Sequence, residues 1–82
     1  MVMSMNEDTL SLGEIIFLKE FDTIGWVIDE EDPDGDYRVM YYNHGCCCFQ
    51  LGFFNIIQVE RTGRIVYDLL KAREELVDYE DN

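Results

Sequence analysis

The stretch GEIIFLKEFDTIGWVID (residues 13–29) holds two short runs of β-branched and aromatic residues on either side of a polar turn. Residues of this kind favour strands, because their side chains pack well on a pleated, half-buried surface. Only residues 20–23 separate the two runs, so we expect them to pair as a hairpin. Gly25 interrupts the second run, and a glycine inside a strand indicates a bulge or a close approach of another segment.

Turn signals divide the following residues into three further strands. Asp32-Pro33-Asp34-Gly35 is typical of a β-turn, since proline presets φ and glycine accepts a positive φ. Asn43-His44-Gly45 indicates a second turn. The predicted strands are residues 36–42, 46–51 and 56–59, with a tight turn at 52–55. Five short strands at this spacing predict a mainly β fold, in the form of a small five-stranded barrel.

The hydrophobic period changes after Val59. From Arg64 to Tyr79 the apolar residues recur at spacings of three, four and seven, which is typical of one face of an amphipathic helix. These residues are Ile65, Val66, Leu69, Leu70, Leu76 and Val77. Thr62 is a candidate N-cap. The sequence therefore predicts an N-terminal arm (1–12), a barrel (13–59), and a C-terminal helix with an acidic tail (60–82).

The chain is strongly acidic, with 18 Asp and Glu against 6 Lys and Arg, for a net charge of −12. This balance disfavours direct binding to nucleic-acid phosphates and polybasic attachment to a membrane. A hydrophobic content of 48% and an aromatic content of 13% argue against disorder. We find no apolar run long enough to span a membrane and no signal peptide, so we expect a cytoplasmic protein.

Most of the negative charge falls within residues 14–60, which contain ten acidic residues and only two basic ones, Lys19 and Arg38. The acids of one hairpin tip are Asp29, Glu30, Glu31, Asp32, Asp34 and Asp36. This acidic loop has three interpretations: a solvated turn, a surface that meets a basic partner, or a metal loop. The spacing lacks the pattern of an EF-hand, which disfavours the metal. A second group of acids, Glu74 to Asp81, allows a further hypothesis, namely mimicry of nucleic-acid phosphates.

The segment His44-Gly45-Cys46-Cys47-Cys48 raises the question of zinc or catalysis. The cysteines lack the Cys-x-x-Cys spacing and have no second ligand pair, so we expect buried thiols that act as small hydrophobic groups, and no metal or cofactor. Three adjacent cysteines fit a reducing compartment better than a disulfide framework. A nucleophile would need a positioned base, and a small barrel leaves little room for a substrate. The sequence therefore predicts no catalytic residues.

The aromatic residues are too numerous for all of them to face the interior of a small barrel. If Val27, Val39 and Tyr41 are core residues, the alternation of a strand turns Trp26, Met40 and Tyr42 outward. Exposed Trp and Tyr side chains commonly anchor interfaces, so Trp26 and Tyr42 are candidate partner-binding residues. The alternative is that the helix covers them, using Ile65, Leu69 and Leu76.

The segment from Gly13 to Val59 resembles the SH3-like small barrels, and more narrowly their KOW-type and phage-encoded forms. The resemblance covers a little over half of the chain. Its motifs are Gly13-Glu14-Ile15-Ile16-Phe17-Leu18, Ile24-Gly25-Trp26-Val27-Ile28, residues 37–42 with the turn 43–45, and residues 53–59. The resemblance implies binding through loops and an exposed face rather than catalysis. RNA-binding members carry basic loops, whereas the comparable loop here is acidic.

Together these observations predict a non-enzymatic, acidic protein-binding module, an accessory protein of a phage or mobile element. It would bind a basic surface on a host or phage protein through Asp29 to Asp36, with Trp26 and Tyr42 as aromatic anchors. Two alternatives are a nucleic-acid mimic that inhibits a host enzyme and a small virion component. A free sheet edge or an uncovered helix face leaves a homo-oligomer open.

Overall fold

A computed structural model describes residues 9–79. They form five antiparallel strands and one C-terminal helix, which confirms the predicted mainly β fold class. The strands are β1 (Glu14–Leu18), β2 (Thr23–Val27), β3 (Asp36–Asn43), β4 (Cys48–Asn55) and β5 (Val59–Ile65). A 3₁₀ turn (Ile56–Gln58) precedes β5, and helix α1 (Leu69–Asp78) follows it.

The five strands form one sheet in the order β4-β3-β2-β1-β5. The first four strands follow each other as antiparallel hairpins, and β5 returns to pair with β1 on its other side. Within residues 9–79, β4 and β5 are the two edges and do not pair with each other. The sheet is therefore barrel-like without being closed, and the SH3-like assignment stays a prediction.

One face of the sheet buries the inner core. Its members are Leu10, Ile16, Leu18, Val27, Tyr37, Val39, Phe54 and Val59. Leu10 belongs to the predicted N-terminal arm, and its amide donates to the Tyr37 hydroxyl at 3.0 Å. The end of that arm is thus part of the core, whereas residues 1–8 lie outside the described residues. A Cβ at Gly25 would lie 2.5 Å from Val39 Cγ1, so the glycine allows the close approach that the sequence indicates.

Helix α1 covers the opposite face of the sheet. There Ile15, Ile24, Val66, Ala72 and Leu76 form a second buried cluster. Trp26, Met40, Tyr42, Phe17 and Phe49 pack against this cluster and are partly buried. The predicted alternation between inward Val27 and Val39 and outward Trp26 and Met40 is therefore confirmed. The helix side partly covers Trp26 and Tyr42, as the alternative interpretation expects, through Leu76 but not through the exposed Ile65 and Leu69. The helix buries Ala72 and Leu76, while Leu69 and Leu70 stay exposed.

The prediction of a turn at 52–55 and a strand at 56–59 is wrong. Strand β4 continues to Asn55, and residues 56–58 form the 3₁₀ turn. Side chains at both ends of this turn satisfy its backbone. The Asn55 side-chain oxygen Oδ1 accepts from the Ile57 backbone amide at 3.0 Å, and the Gln58 side-chain oxygen Oε1 accepts from the Asn55 backbone amide at 2.9 Å. Because of this capping box, Ile56 and Ile57 do not take part in strand pairing, although isoleucine strongly favours strands.

The prediction that the helix starts at Arg64 is also wrong. Strand β5 runs to Ile65 and pairs with β1, so the helix begins only at Leu69, after Asp68 as N-cap. Thr62 is not a helix cap, because its hydroxyl donates to the Ile15 carbonyl across the two strands. That bond lies where the β1–β5 register shifts, between Ile15 and Ile16. Of the apolar residues that suggested an early helix start, Ile65 therefore ends a strand and Val66 lies in the connection, while only Leu69 and Leu70 lie on the helix.

Two ion pairs tie β5 to its neighbours. Buried Glu14 on β1 accepts from Arg61 Nε at 2.7 Å and from Arg61 Nη2 at 2.9 Å. The Ser11 amide also donates to Glu14 at 3.0 Å, so this buried carboxylate is well satisfied. Arg64 makes the second pair, with Glu75 on the helix. This pair anchors α1 to the end of the sheet.

Replacing Glu75 with glutamine should remove a small, pH-dependent contribution to stability. Arg64 donates two hydrogen bonds to Glu75, which holds the pKa of that carboxyl below its ordinary value. The ion pair therefore contributes its full stability above the pKa of Glu75 in the unfolded chain, about 4.3, and this contribution is lost as the pH falls through the lower pKa of the folded state. Because Arg64 is half exposed, we expect a loss of only about 0.5 kcal/mol at pH 7. Urea denaturation at pH 7 and pH 3 measures it.

The matched control is Glu74→Gln, because the structure shows no ion pair for this exposed neighbour within residues 9–79. It should change stability less at pH 7. A Glu75→Gln deficit that persists undiminished at pH 3 would contradict the assigned role of the ion pair.

Candidate protein-binding surface

The acidic loop joins β2 to β3 and projects from one end of the sheet. Glu30, Glu31 and Asp34 are exposed. Within residues 9–79, no Lys, Arg or His pairs with any of the six loop acids. The loop therefore presents negative charge that the described part of the chain does not neutralise.

Asp32 has a different role from its neighbours, because its carboxylate organises the loop. One oxygen accepts from the amides of Asp34 at 3.0 Å and Asp36 at 2.9 Å. Its backbone amide donates to the Asp36 carbonyl, and its carbonyl accepts from the Gly35 amide, both at 2.9 Å. These bonds are typical of an Asx turn. Asp29 makes a similar local bond to the Glu30 amide. Of the predicted site acids, Glu30, Glu31 and Asp34 are thus the ones available to a partner.

Replacing Asp32 with alanine should destabilise the loop by about 1–2 kcal/mol, because two backbone amides lose their acceptor. Asp32→Asn is the matched control, since it removes the same charge and keeps an oxygen in the accepting position. We expect the asparagine variant to stay within about 0.5 kcal/mol of the wild type. Thermal denaturation of the two variants measures the difference. Equal losses would show that the charge of Asp32, and not its hydrogen bonds, stabilises the loop.

A clasp between Gly13, Trp26 and Val66 fixes the surface beside the acidic loop. The Gly13 carbonyl accepts from the Val66 amide at 2.8 Å and from the Trp26 indole Nε1 at 3.1 Å. The same indole N–H also donates to the Val66 carbonyl at 2.9 Å. The Gly13 amide donates to the Val27 carbonyl at 2.8 Å, which ties the clasp to the strand that leads into the acidic loop. Trp26 is therefore engaged within the protein through its only side-chain N–H group.

The clasp places Leu12 and Tyr67 side by side with the acidic loop. Leu12 precedes Gly13 and Tyr67 follows Val66, so both leave the clasp at the surface. Together with residues 9–11, Glu30 and Glu31, they line an open cleft of about 560 Å³, which we call the acidic cleft. Tyr67 is 84% exposed and Leu12 is 47% exposed. Two carboxylates without an ion pair in residues 9–79 thus share one concave surface with the exposed side chains of Leu12 and Tyr67.

An apolar groove continues from the acidic cleft along the helix side of the molecule. Leu12 and Tyr67 line both depressions, and the groove of about 490 Å³ adds Ile28, Met40 and Leu69. Leu69 is 47% exposed. The combined surface is therefore acidic at one end and apolar at the other.

Tyr42, the second predicted aromatic anchor, lies away from the acidic loop. It is near the end of β3, whereas Asp36 begins that strand, and a strand of eight residues spans roughly 23 Å. Its ring packs edge-on against His44 and Phe49. Partial burial raises the pKa of the Tyr42 phenol, and a hydrogen bond with Cys47 raises it further. The structure therefore does not bring Tyr42 together with the acidic loop.

Tyr42 does line a separate aromatic pocket of about 350 Å³, together with Phe21, Tyr41, His44 and Thr23. The Thr23 hydroxyl is buried and has no hydrogen-bond partner within residues 9–79. Nothing in the sequence marks this pocket, because its walls come from β2, from β3 and from the turns that contain Phe21 and His44. We find there no nucleophile beside a positioned base, and it supports no assignment of a reaction.

The expectation that the three cysteines are buried is wrong. Cys46 and Cys47 lie in the turn between β3 and β4, and all three thiols are exposed. Within residues 9–79, no group of three or more His, Cys, Asp or Glu side chains is arranged to hold a metal ion. A hydrogen bond with Cys46, together with some burial, raises the pKa of the Cys48 thiol.

The acids of the C-terminal segment do not form a second surface like the acidic loop. Glu75 is paired with Arg64, whereas Glu74 and Asp78 are exposed on α1. Glu80 and Asp81 lie outside the described residues. The helix of residues 69–78 is too short to cross a membrane, and no other candidate span occurs in the described part of the chain.

Comparisons of the chain with protein-family models, with curated proteins and with solved structures found no match. The surface must therefore be interpreted from its own chemistry. Sequence reasoning identified Glu30 and Glu31 from the density of acids, but it missed Leu12 and Tyr67. The available signal was that Tyr67 falls outside the apolar stripe predicted for the helix.

Proposed function

We propose that this chain is a non-enzymatic protein-binding module whose acidic cleft docks a basic, partly apolar segment of another protein. The observation that carries the proposal is that Glu30 and Glu31 share one cleft with exposed Tyr67 and Leu12. The carboxylates favour a cationic partner and raise its rate of association. The apolar side chains provide surface that is buried on binding, and tyrosine is among the residues that most often dominate binding energy.

The proposal gives the two predicted aromatic residues different roles. Trp26 acts as a positioning residue, because its indole N–H holds the Gly13 and Val66 carbonyls that fix Leu12 and Tyr67. Tyr42 is too far along β3 to join the same contact with a short segment. Tyr67 replaces both as the proposed aromatic anchor.

The apolar groove favours a protein partner over the alternative of nucleic-acid mimicry. A mimic needs a pattern of charges that follows a phosphate backbone, whereas here the charged cleft gives way to Leu12, Tyr67 and Leu69. An amphipathic basic segment matches both ends of this surface. The SH3-like fold and the origin as an accessory protein of a phage or mobile element belong to the proposal through the resemblance of residues 13–59.

A titration with two synthetic peptides tests the proposed function. One probe alternates lysine with leucine, and the other alternates lysine with serine, so both carry the same charge. We expect the lysine–leucine peptide to bind at least tenfold more tightly by calorimetry, because only its leucines match the apolar groove. Equal affinities would contradict a docking surface and indicate general electrostatic attraction. If the two peptides bind equally well and polyanions the size of a duplex compete with the chain for both of them, the result would favour mimicry instead.

A further inference from the structure

The turn between β3 and β4 brings two thiols into contact. The Sγ atoms of Cys46 and Cys48 are 2.7 Å apart, and both residues are exposed. Cys47, between them, has a φ of 57°, a left-handed conformation that is uncommon for a residue with a side chain. This backbone conformation allows the first and third cysteines to meet on one side of the turn.

The surrounding contacts hold Cys46 and Cys48 together and keep the thiol of Cys47 apart from them. The Asn43 side chain accepts from the Gly45 amide at 2.8 Å and donates to Gln50 at 3.1 Å, which fixes the base of the turn. Cys47 has a different partner, because its Sγ lies 3.7 Å from the His44 carbonyl oxygen. The turn thus presents one pair of adjacent thiols and one thiol engaged elsewhere.

The distance between the paired sulfurs discriminates between two kinds of chemistry. Two thiolates on a tetrahedral zinc ion, each about 2.3 Å from the metal, lie roughly 3.8 Å apart. The observed 2.7 Å is much shorter, and the described residues provide no third and fourth ligand. The geometry therefore favours a sulfur–sulfur bond over a shared metal.

We propose that Cys46 and Cys48 form a modification site that closes into an intramolecular disulfide by exchange with a low-molecular-weight disulfide of the glutathione class. One cysteine, as its thiolate, attacks the disulfide RSSR, which forms a mixed disulfide and releases one RSH. The other then attacks the protein sulfur of that mixed disulfide, which forms the Sγ–Sγ bond and releases a second RSH. The two protein thiols lose two protons and two electrons, and RSSR takes up both.

This disulfide is suited to reversible modification rather than to structural stabilisation. Cross-linking removes entropy from the unfolded chain in proportion to the logarithm of the loop length, and this loop holds only residues 46–48. A bond that stabilises the fold so little is readily reduced when thiols are in excess. The site is independent of the acidic cleft, which lies at the other end of β3.

Alkylation and mass spectrometry of the full chain test this proposal. The reduced protein is incubated anaerobically with oxidised glutathione and then treated with iodoacetamide. We expect the wild type to lose the mass of two hydrogens and to take up one label, on Cys47. Dithiothreitol should restore labelling of all three cysteines. Cys47→Ser is the matched control, and it should close the same bridge and take up no label.

The single variants at the paired positions provide the complementary result. Cys46→Ser and Cys48→Ser should each stop at a stable mixed disulfide with glutathione, because the resolving thiol is missing. Three labels on the treated wild type would overturn the proposal. A bridge mapped to Cys47, or a disulfide-linked dimer, would overturn it as well.

Discussion

Replacing Gly13 with alanine is expected to cause a large loss of stability. Gly13 has a φ of +84°, and a Cβ built there lies 2.6 Å from the backbone oxygen of Val66. A left-handed conformation costs an alanine about 1–2 kcal/mol. The contact adds more, because the oxygen belongs to backbone that is tied into the clasp and cannot turn aside like a side chain.

Relief of that contact would break the clasp itself. Moving Val66 away from Gly13 stretches the bond between their backbones and both bonds of the Trp26 indole. Strain and lost hydrogen bonds together give an expected loss of about 3–4 kcal/mol. For a domain of this size, such a loss lowers Tm by roughly 15 °C or more. Thermal and urea denaturation of the purified variant measure it.

Gly63→Ala is the matched control for Gly13→Ala. Gly63 has nearly the same φ, +83°, but a Cβ built there meets nothing within 4 Å. Gly63→Ala should therefore lose only the stability that a left-handed backbone costs an alanine, about 1–2 kcal/mol. If the two variants lose the same stability, the contact with Val66 is not decisive and the clasp does not hold the surface as described.

Reversing two charges in the acidic cleft is expected to have the largest effect on binding. In Glu30→Lys/Glu31→Lys, two attractions toward the lysine–leucine peptide become repulsions. At about 0.5–1 kcal/mol for each of the two lost attractions and two new repulsions, the total is about 2–4 kcal/mol, or a loss of affinity of roughly thirtyfold to several hundredfold. The remaining affinity should also depend less on salt, since fewer charge interactions are screened. Calorimetry at two salt concentrations measures both effects.

The control for charge reversal carries the same net charge at another place. Glu20→Lys/Glu60→Lys changes two exposed acids at the end of the sheet away from the acidic loop. We expect it to weaken the peptide less than tenfold. If both double variants lose the same affinity, the peptide responds to net charge alone, and the acidic cleft has no special role.

Local sequence patterns predicted the first half of the fold well. The alternation that separates Val27 and Val39 from Trp26 and Met40 follows from the period of a strand, and the structure confirms it. The acidic loop was also located correctly from local sequence, since Pro33 and Gly35 indicate a turn whatever the loop packs against. The second half depended on particular side-chain bonds. The capping box at Asn55 and the cross-strand bond of Thr62 both override the apolar spacing around them.

The candidate site was only half visible in the sequence for a related reason. Glu30 and Glu31 are neighbours in the chain, so their charge is apparent from composition. Leu12 and Tyr67 become neighbours only because β5 returns beside β1 and the Gly13–Val66 bonds bring their chain segments together. That return connects distant segments through backbone hydrogen bonds, and no local pattern of polar and apolar residues marks it.

The most direct test of the docking surface is an NMR titration of the isotope-labelled chain with the lysine–leucine peptide. We predict that the amide shifts move most at Leu12, Glu30, Glu31 and Tyr67, and that the Tyr67→Ser variant loses most of the affinity while staying folded. Shifts that are largest around Tyr42 and His44, or that spread evenly over all exposed acids, would contradict the account.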